Sequence, residues 1–261
     1  MYFKIAWRNL IRNKGYAFIN ISGLAAGIAA CLLIFVVVQF ELSYDTFQPN
    51  YDRIYRIVTT ATNSDGSEDG NPGIPCPAYD ALKADFPQFE KIAAVNASSD
   101  NLVTVLGSDP QSDVSSSKKF LEPGNIAFTQ PAYFSIFTAK WLAGTAQVLN
   151  EPGNAVLDKT TAIKYFGDWK KATGQFLKLD NAILVKVAGI IEDAPLNSDF
   201  AITFFASYET FKKYPSNYGY SPEWGNLSSN HQVYVMLPKN VSAAGIQSQM
   251  PFFVKKYYSD D

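Results

Sequence analysis

Between Gly15 and Phe40 no side chain carries a charge, while the residues before them carry Lys4, Arg8, Arg12 and Lys14 and no acid. That pattern constrains the chain more than any other, because it sets a membrane span and its direction together. The 23 residues from Phe18 to Phe40 would reach ~34 Å as a helix, enough for a hydrocarbon core of about 30 Å. Within them Ile28, Leu32, Leu33, Ile34, Phe35, Val36, Val37 and Val38 each favour the bilayer by roughly 0.3–0.6 kcal/mol. Asn20, Ser22 and Gln39 sit towards the ends, within reach of water or head groups. Lysine and arginine flanks stay cytoplasmic, so the N-terminus is expected inside and everything after Glu41 outside.

Two processing signals share parts of this pattern. A secretory signal peptide has an apolar core of about 7–15 residues and ends at small residues, whereas here the apolar run continues to Phe40. Ile28-Ala29-Ala30-Cys31 has the form that precedes lipidation, but cleavage there would leave Leu32-Leu33-Ile34-Phe35-Val36-Val37-Val38 as an exposed apolar tail. Cys31 is therefore read as a small apolar residue facing lipid or another helix. Gly23 and Gly27 have the small-xxx-small spacing that allows close helix packing. Ahead of the span, Met1 to Lys14 reads as an amphipathic helix. Phe3, Ile5, Ala6, Leu10 and Ile11 share an apolar side, Trp7 sits at the interface, and Lys4, Arg8, Arg12 and Lys14 lie at the head groups. Gly15 is expected to turn the chain into the span.

About 220 residues follow, enough for one large domain or two small ones. All 24 acids and 18 of the 22 Lys and Arg fall there, leaving that part near −6. No basic cluster suits nucleic acid. With Cys76 the only cysteine outside the span, no intradomain disulfide can form, so a packed core must hold the domain.

Strands are predicted over Ile54–Thr62, Ile92–Ala97, Leu102–Leu106, Ala127–Gln130, Asn154–Leu157, Phe176–Leu179, Leu184–Ile191, Phe200–Ala206 and Gln232–Leu237. Helices are predicted over Ala78–Phe86, Pro131–Phe137, Thr160–Phe166, Tyr208–Lys213 and Ala243–Tyr257, the last interrupted by Pro251. Glu41–Tyr44 should add a turn to the span, Asp158 should cap a helix that Gly167 ends, and Asp180-Asn181 should turn a hairpin. Asn63–Pro75 and Gly107–Lys119 read as loops. The mixture has no repeating βαβ period, which predicts an α+β fold. A division into residues 51–97 with 200–257 as one subdomain and 98–199 as the other is expected.

No catalytic, cofactor or metal set emerges. The one histidine, His231, has Asn230, Gln232 and Val233 beside it and no local nucleophile or second ligand; it reads as a residue at a strand start. Asp65-Gly66-Ser67-Glu68-Asp69-Gly70 opens like a calcium loop but puts Pro72 and Cys76 where the later ligands belong. Adjacent Glu192 and Asp193 would point to opposite faces of a strand. The chain is expected not to be an enzyme.

Lys4-Ile5-Ala6-Trp7-Arg8-Asn9-Leu10-Ile11-Arg12-Asn13-Lys14-Gly15 and Phe18-Ile19-Asn20-Ile21-Ser22-Gly23-Leu24 resemble the start of MacB/FtsX-like ABC-transporter permeases. Glu41-Leu42-Ser43-Tyr44-Asp45 and Asp52-Arg53-Ile54-Tyr55-Arg56 look like the beginning of the family's periplasmic core domain. So do Asn154-Ala155-Val156-Leu157-Asp158, Ala162, Lys164-Tyr165-Phe166-Gly167 and Val187-Ala188-Gly189-Ile190 further on. The resemblance implies a bacterial inner-membrane permease subunit, paired with a second protomer and driven by a cytoplasmic ABC ATPase. Its periplasmic work would be efflux, lipoprotein handling or control of a hydrolase, with a periplasmic partner. Such permeases carry further spans that contact the ATPase; the run ends at Ser259-Asp260-Asp261 without one, so a piece of a longer permease is expected. A membrane-tethered binding or sensor domain is the alternative, and an anchored hydrolase would need a constellation the sequence does not show.

Overall fold

A computed structural model describes residues 2–62, 65–200 and 202–258, without the side chains of Tyr2, Phe3, Ala6 and Leu10. Two compact units result, Met1–Phe47 and Gln48–Asp261.

The first unit is two helices, α1 (Tyr2–Arg12) and α2 (Lys14–Glu41). They part at Asn13, with φ −111° and ψ 55°, and not at Gly15. Asparagine competes for local hydrogen bonds and leaves the helical region easily, and Asn13 Nδ2 donates to Asn9 Oδ1 at 3.2 Å. Beyond Glu41 the expected extra turn is not α-helical. Ser43 N donates to Phe40 O at 3.0 Å and Ser43 Oγ donates to the same carbonyl at 2.6 Å, so the last carbonyls are met by a tightened turn.

In the second unit the strands are β1 (Ile54–Ile57), β2 (Thr59–Thr62), β3 (Glu68–Asn71), β4 (Lys91–Ser98), β5 (Asn101–Gly107), β6 (Lys118–Glu122) and β7 (Ile126–Thr129). They continue as β8 (Trp141–Ala143), β9 (Asn154–Asp158), β10 (Phe176–Leu179), β11 (Ile183–Ile191), β12 (Phe204–Ser207) and β13 (His231–Met236). The helices are α3 (Cys76–Asp85), α4 (Tyr133–Ile136), α5 (Lys159–Phe166), α6 (Tyr208–Lys213), α7 (Pro215–Tyr218), α8 (Ala243–Gln247) and α9 (Met250–Tyr258). One mixed sheet runs β1-β13-β4-β7-β12-β9-β11-β10-β5-β6, with β8 on β11. Only the β7–β12 and β9–β11 pairs in it are parallel. The fold is thus α+β, as the element order implies.

The expected strand 54–62 is broken at Val58: β1 joins the main sheet beside β13, while β2 pairs with β3 in a separate ribbon. Strand β3 of that ribbon falls in the middle of the expected loop 63–75, whose Asn63 and Ser64 lie outside the described residues. The last expected helix breaks at Ser248-Gln249, leaving Pro251 in the first turn of α9, where its missing N–H costs nothing.

Side chains alternate strictly between two cores. Ile92 and Ala94 of β4, Val233 and Val235 of β13, Ala155 and Leu157 of β9 and Phe204 and Ala206 of β12 enter one core. Their neighbours Ala93, Val95, Tyr234, Met236, Val156 and Phe205 enter the other. The sheet is therefore covered on both faces here, which explains the continuous apolar runs. In β11, Ile183, Val185 and Val187 are buried while Leu184 and Lys186 are exposed, so that end keeps one face in water.

Helix α5 shows the local logic best. Asp158 Oδ1 accepts from Thr161 N at 2.7 Å and Gly167 closes the helix at φ 79°. Burial pushes the Asp158 carboxyl up, against the lowering by the Thr161 hydrogen bond. Beside it, buried Glu122 accepts from Lys164 Nζ at 2.7 Å and Tyr165 Oη at 2.6 Å. Asp158→Ala is expected to cost about 1 kcal/mol through the lost cap, read as a melting temperature roughly 2–4 °C lower.

Candidate functional site

The N-terminal helix pair is the first candidate element. Lys4, Trp7, Arg8 and Arg12 on α1 and Lys14 at the start of α2 are all exposed. The expected apolar partners Phe3, Ala6 and Leu10 lie outside the described side chains; Ile5 and Ile11 are exposed. Helix α2 spans 28 residues with none buried, and its length and apolarity are enough to cross a membrane. A Cβ added at Gly23 or Gly27 would meet nothing within 4 Å, so the face with the small-residue spacing is open. Ser22 Oγ donates to Ile19 O at 3.1 Å, which satisfies that hydroxyl inside the helix.

In the second unit the chain begins at a polar staple. Arg53 Nη1 donates to Glu90 Oε2 and to Leu237 O, both at 2.7 Å, and its Nη2 donates to Asn50 Oδ1 at 2.7 Å. The backbone closes the same contact, with Leu237 N donating to Arg53 O at 3.0 Å. Next to it Gln48 Oε1 accepts from Thr138 N and Oγ1 at 3.0 and 2.9 Å. A cleft of about 460 Å³ lies over this staple, lined by Asn50, Asp52, Arg53, Tyr55 and Lys239 among others.

His231 does begin a strand, but it is also the centre of a buried relay. Its Nδ1 is 2.8 Å from Ile74 O and its Nε2 is 2.7 Å from Tyr208 Oη. A carbonyl only accepts, so Nδ1 carries the proton and Nε2 accepts from the tyrosine hydroxyl. Burial lowers the imidazole pKa and raises that of Tyr208, which keeps both neutral. Next to the ring opens a cavity of about 350 Å³ that also reaches Cys76 and Asn96. Ile74 and Tyr208 lie 157 and 23 positions from His231, so no local motif announces the relay.

Among the described residues no three His, Cys, Asp or Glu side chains gather to hold a metal ion. Asp65 serves its own turn, accepting from Ser67 N at 2.9 Å. Glu192 pairs with Lys140 and Lys159, while Asp193 accepts from Thr160 N at 2.8 Å; the two adjacent acids have separate structural partners. The motif residues of the second unit hold the fold: Arg53 staples it, Asp158 caps and Lys164 and Tyr165 clamp Glu122.

The family model for the MacB-like periplasmic core domain matches residues 17–251. Among solved structures, a domain assigned to a permease of Porphyromonas gingivalis is similar with a TM-score of 0.62 and 18% identity. That match covers 80% of this chain and 83% of the other. The periplasmic region of MacB from Actinobacillus actinomycetemcomitans gives a TM-score of 0.49 and 15% identity over 69% of this chain and 73% of that one. No curated protein sequence matches. The model's match takes in both most of α2 and nearly all of the second unit, and the chain therefore belongs to the MacB-like periplasmic core domain family of permease-like ABC-transporter components.

Proposed function

We propose that this chain is the N-terminal part of a permease subunit that carries the work of a cytoplasmic ABC ATPase to the periplasm. The observation that supports it best is the direct covalent order of basic flank, charge-free helix and MacB-like domain. Lys4, Trp7, Arg8, Arg12 and Lys14 hold α1 at the cytoplasmic head groups, and the open Gly23–Gly27 face packs against another membrane helix, of this permease or of a second protomer. The chain moves no electrons and breaks no bonds in this reading. It couples sites by favouring one of two arrangements of the assembly, which requires contacts that differ between them. The periplasmic output is efflux, lipoprotein handling or hydrolase control.

Orientation is the decisive test. In a Cys31→Ala, Cys76→Ala background, which removes both native thiols, Ser116→Cys should react with a membrane-impermeant maleimide in intact spheroplasts. Asn9→Cys should react only after the membrane is opened. The reverse labelling would sink the proposal; so would failure of the full-length permease to copurify with any ABC ATPase.

A further inference from the structure

We infer that the cavity beside His231 binds a small, uncharged molecule bearing amide and hydroxyl groups. Its roof is the strap 219–230, which has neither helix nor strand. The strap is held at its middle by Trp224, stacked on Tyr257 with centroids 4.7 Å apart, and at its end by Ser228, whose carbonyl lies against Gly73. Its floor is the β4–β13 ladder, where Asn96 stands opposite His231.

Asn96 is the informative side chain. It is 5% exposed, yet its only side-chain hydrogen bond among the described residues is a 3.5 Å contact from Nδ2 to Ala97 O. A carboxamide offers two donors and two acceptor lone pairs, and buried polar groups are normally bonded. Most of its capacity is unused, and it lines the cavity. Ser221, Asn226, Ser228 and Asn230 on the strap add hydroxyls and amides, with Tyr218 as an aromatic wall. The Tyr218 hydroxyl is already committed to Asp180 Oδ2 at 3.0 Å, leaving its ring as the contact.

Among the described residues the cavity lining contains no Asp, Glu, Lys or Arg. A charged ligand would lose hydration there without a counter-charge, whereas a neutral one exchanges water for amide and hydroxyl partners. About 350 Å³ falls in the range of small-molecule pockets, and a single N-acetylated sugar ring has both required groups.

The test is saturation-transfer NMR on the full chain in nanodiscs, with N-acetylglucosamine as probe and glucuronate as its charged counterpart. Transfer is expected to the neutral sugar and not to glucuronate. Affinity should fall about tenfold in Asn96→Ala and in Asn226→Ala, and stay unchanged in Asn150→Ala. Asn226 is exposed and makes no side-chain hydrogen bond among the described residues, so that variant separates binding from folding. No transfer to N-acetylglucosamine at millimolar concentration overturns the proposal. Equal transfer to both sugars does so too, as does affinity that survives both cavity substitutions.

Discussion

Gly73→Ala is expected to lower the melting temperature of the second unit by roughly 6–12 °C, from a loss of about 3 kcal/mol. A Cβ at this position would lie 1.9 Å from Ser228 O, 2.8 Å from Ser228 C and 2.8 Å from His231 O. All three are backbone atoms, so no flexible side chain can swing aside. The strap would have to lift or β13 would have to shift. Shifting the 73–74 segment would also strain Ile74 N, which donates to His231 O at 3.0 Å, and Ile74 O, which accepts from the imidazole. Gly124→Ala is the control, because a Cβ there meets nothing within 4 Å and should change stability by less than about 0.5 kcal/mol. Thermal unfolding followed by circular dichroism checks both; equal melting temperatures for the two variants would show that the strap yields freely.

His231→Phe should be comparably damaging. The replacement leaves the Tyr208 hydroxyl and the Ile74 carbonyl buried without their partner, each worth about 1–3 kcal/mol. It should also change the pH dependence. Burial lowers the folded-state pKa of His231 below its ordinary value of 6.5, so the unfolded chain binds the proton first as pH falls. This stabilising contribution is complete above about pH 6.5 and is lost on acidification towards the folded pKa, with a limiting slope of ~1.4 kcal/mol per pH unit. Denaturant titrations from pH 7 to 5 should show the wild type weakening more steeply than the variant. Parallel slopes would mean that the imidazole is protonated equally in both states.

The parts that were legible in the sequence are those whose signals are local. A charge-free run marks α2, an Asp at the first turn and a Gly after the last mark α5, and Asp180 and Asn181, with φ of 49° and 56°, make the hairpin turn that their residue types favour. Strands β3, β6 and β8 were not legible. Glu68-Asp69-Gly70-Asn71 has no apolar residue, Lys118–Glu122 is an edge strand with two lysines, and Trp141–Ala143 has only three residues. Each owes its form to a neighbour already in place. The order of strands was equally hidden, since β7 lies between β4 and β12, far from both in the chain. The same holds for the cavity: Asn96 reads as one more polar residue in a strand until β13 brings His231 opposite it.

The Arg53 staple has a mechanical consequence. Any pull on the chain from residue 47 reaches the sheet first at this guanidinium and at the four pairs between β1 and β13. Two acceptors from distant segments, Glu90 and Leu237, share that load through one rigid planar group, which Asn50, three residues before it, helps to orient. The strain is divided among segments far apart in sequence instead of unzipping the edge strand one hydrogen bond at a time.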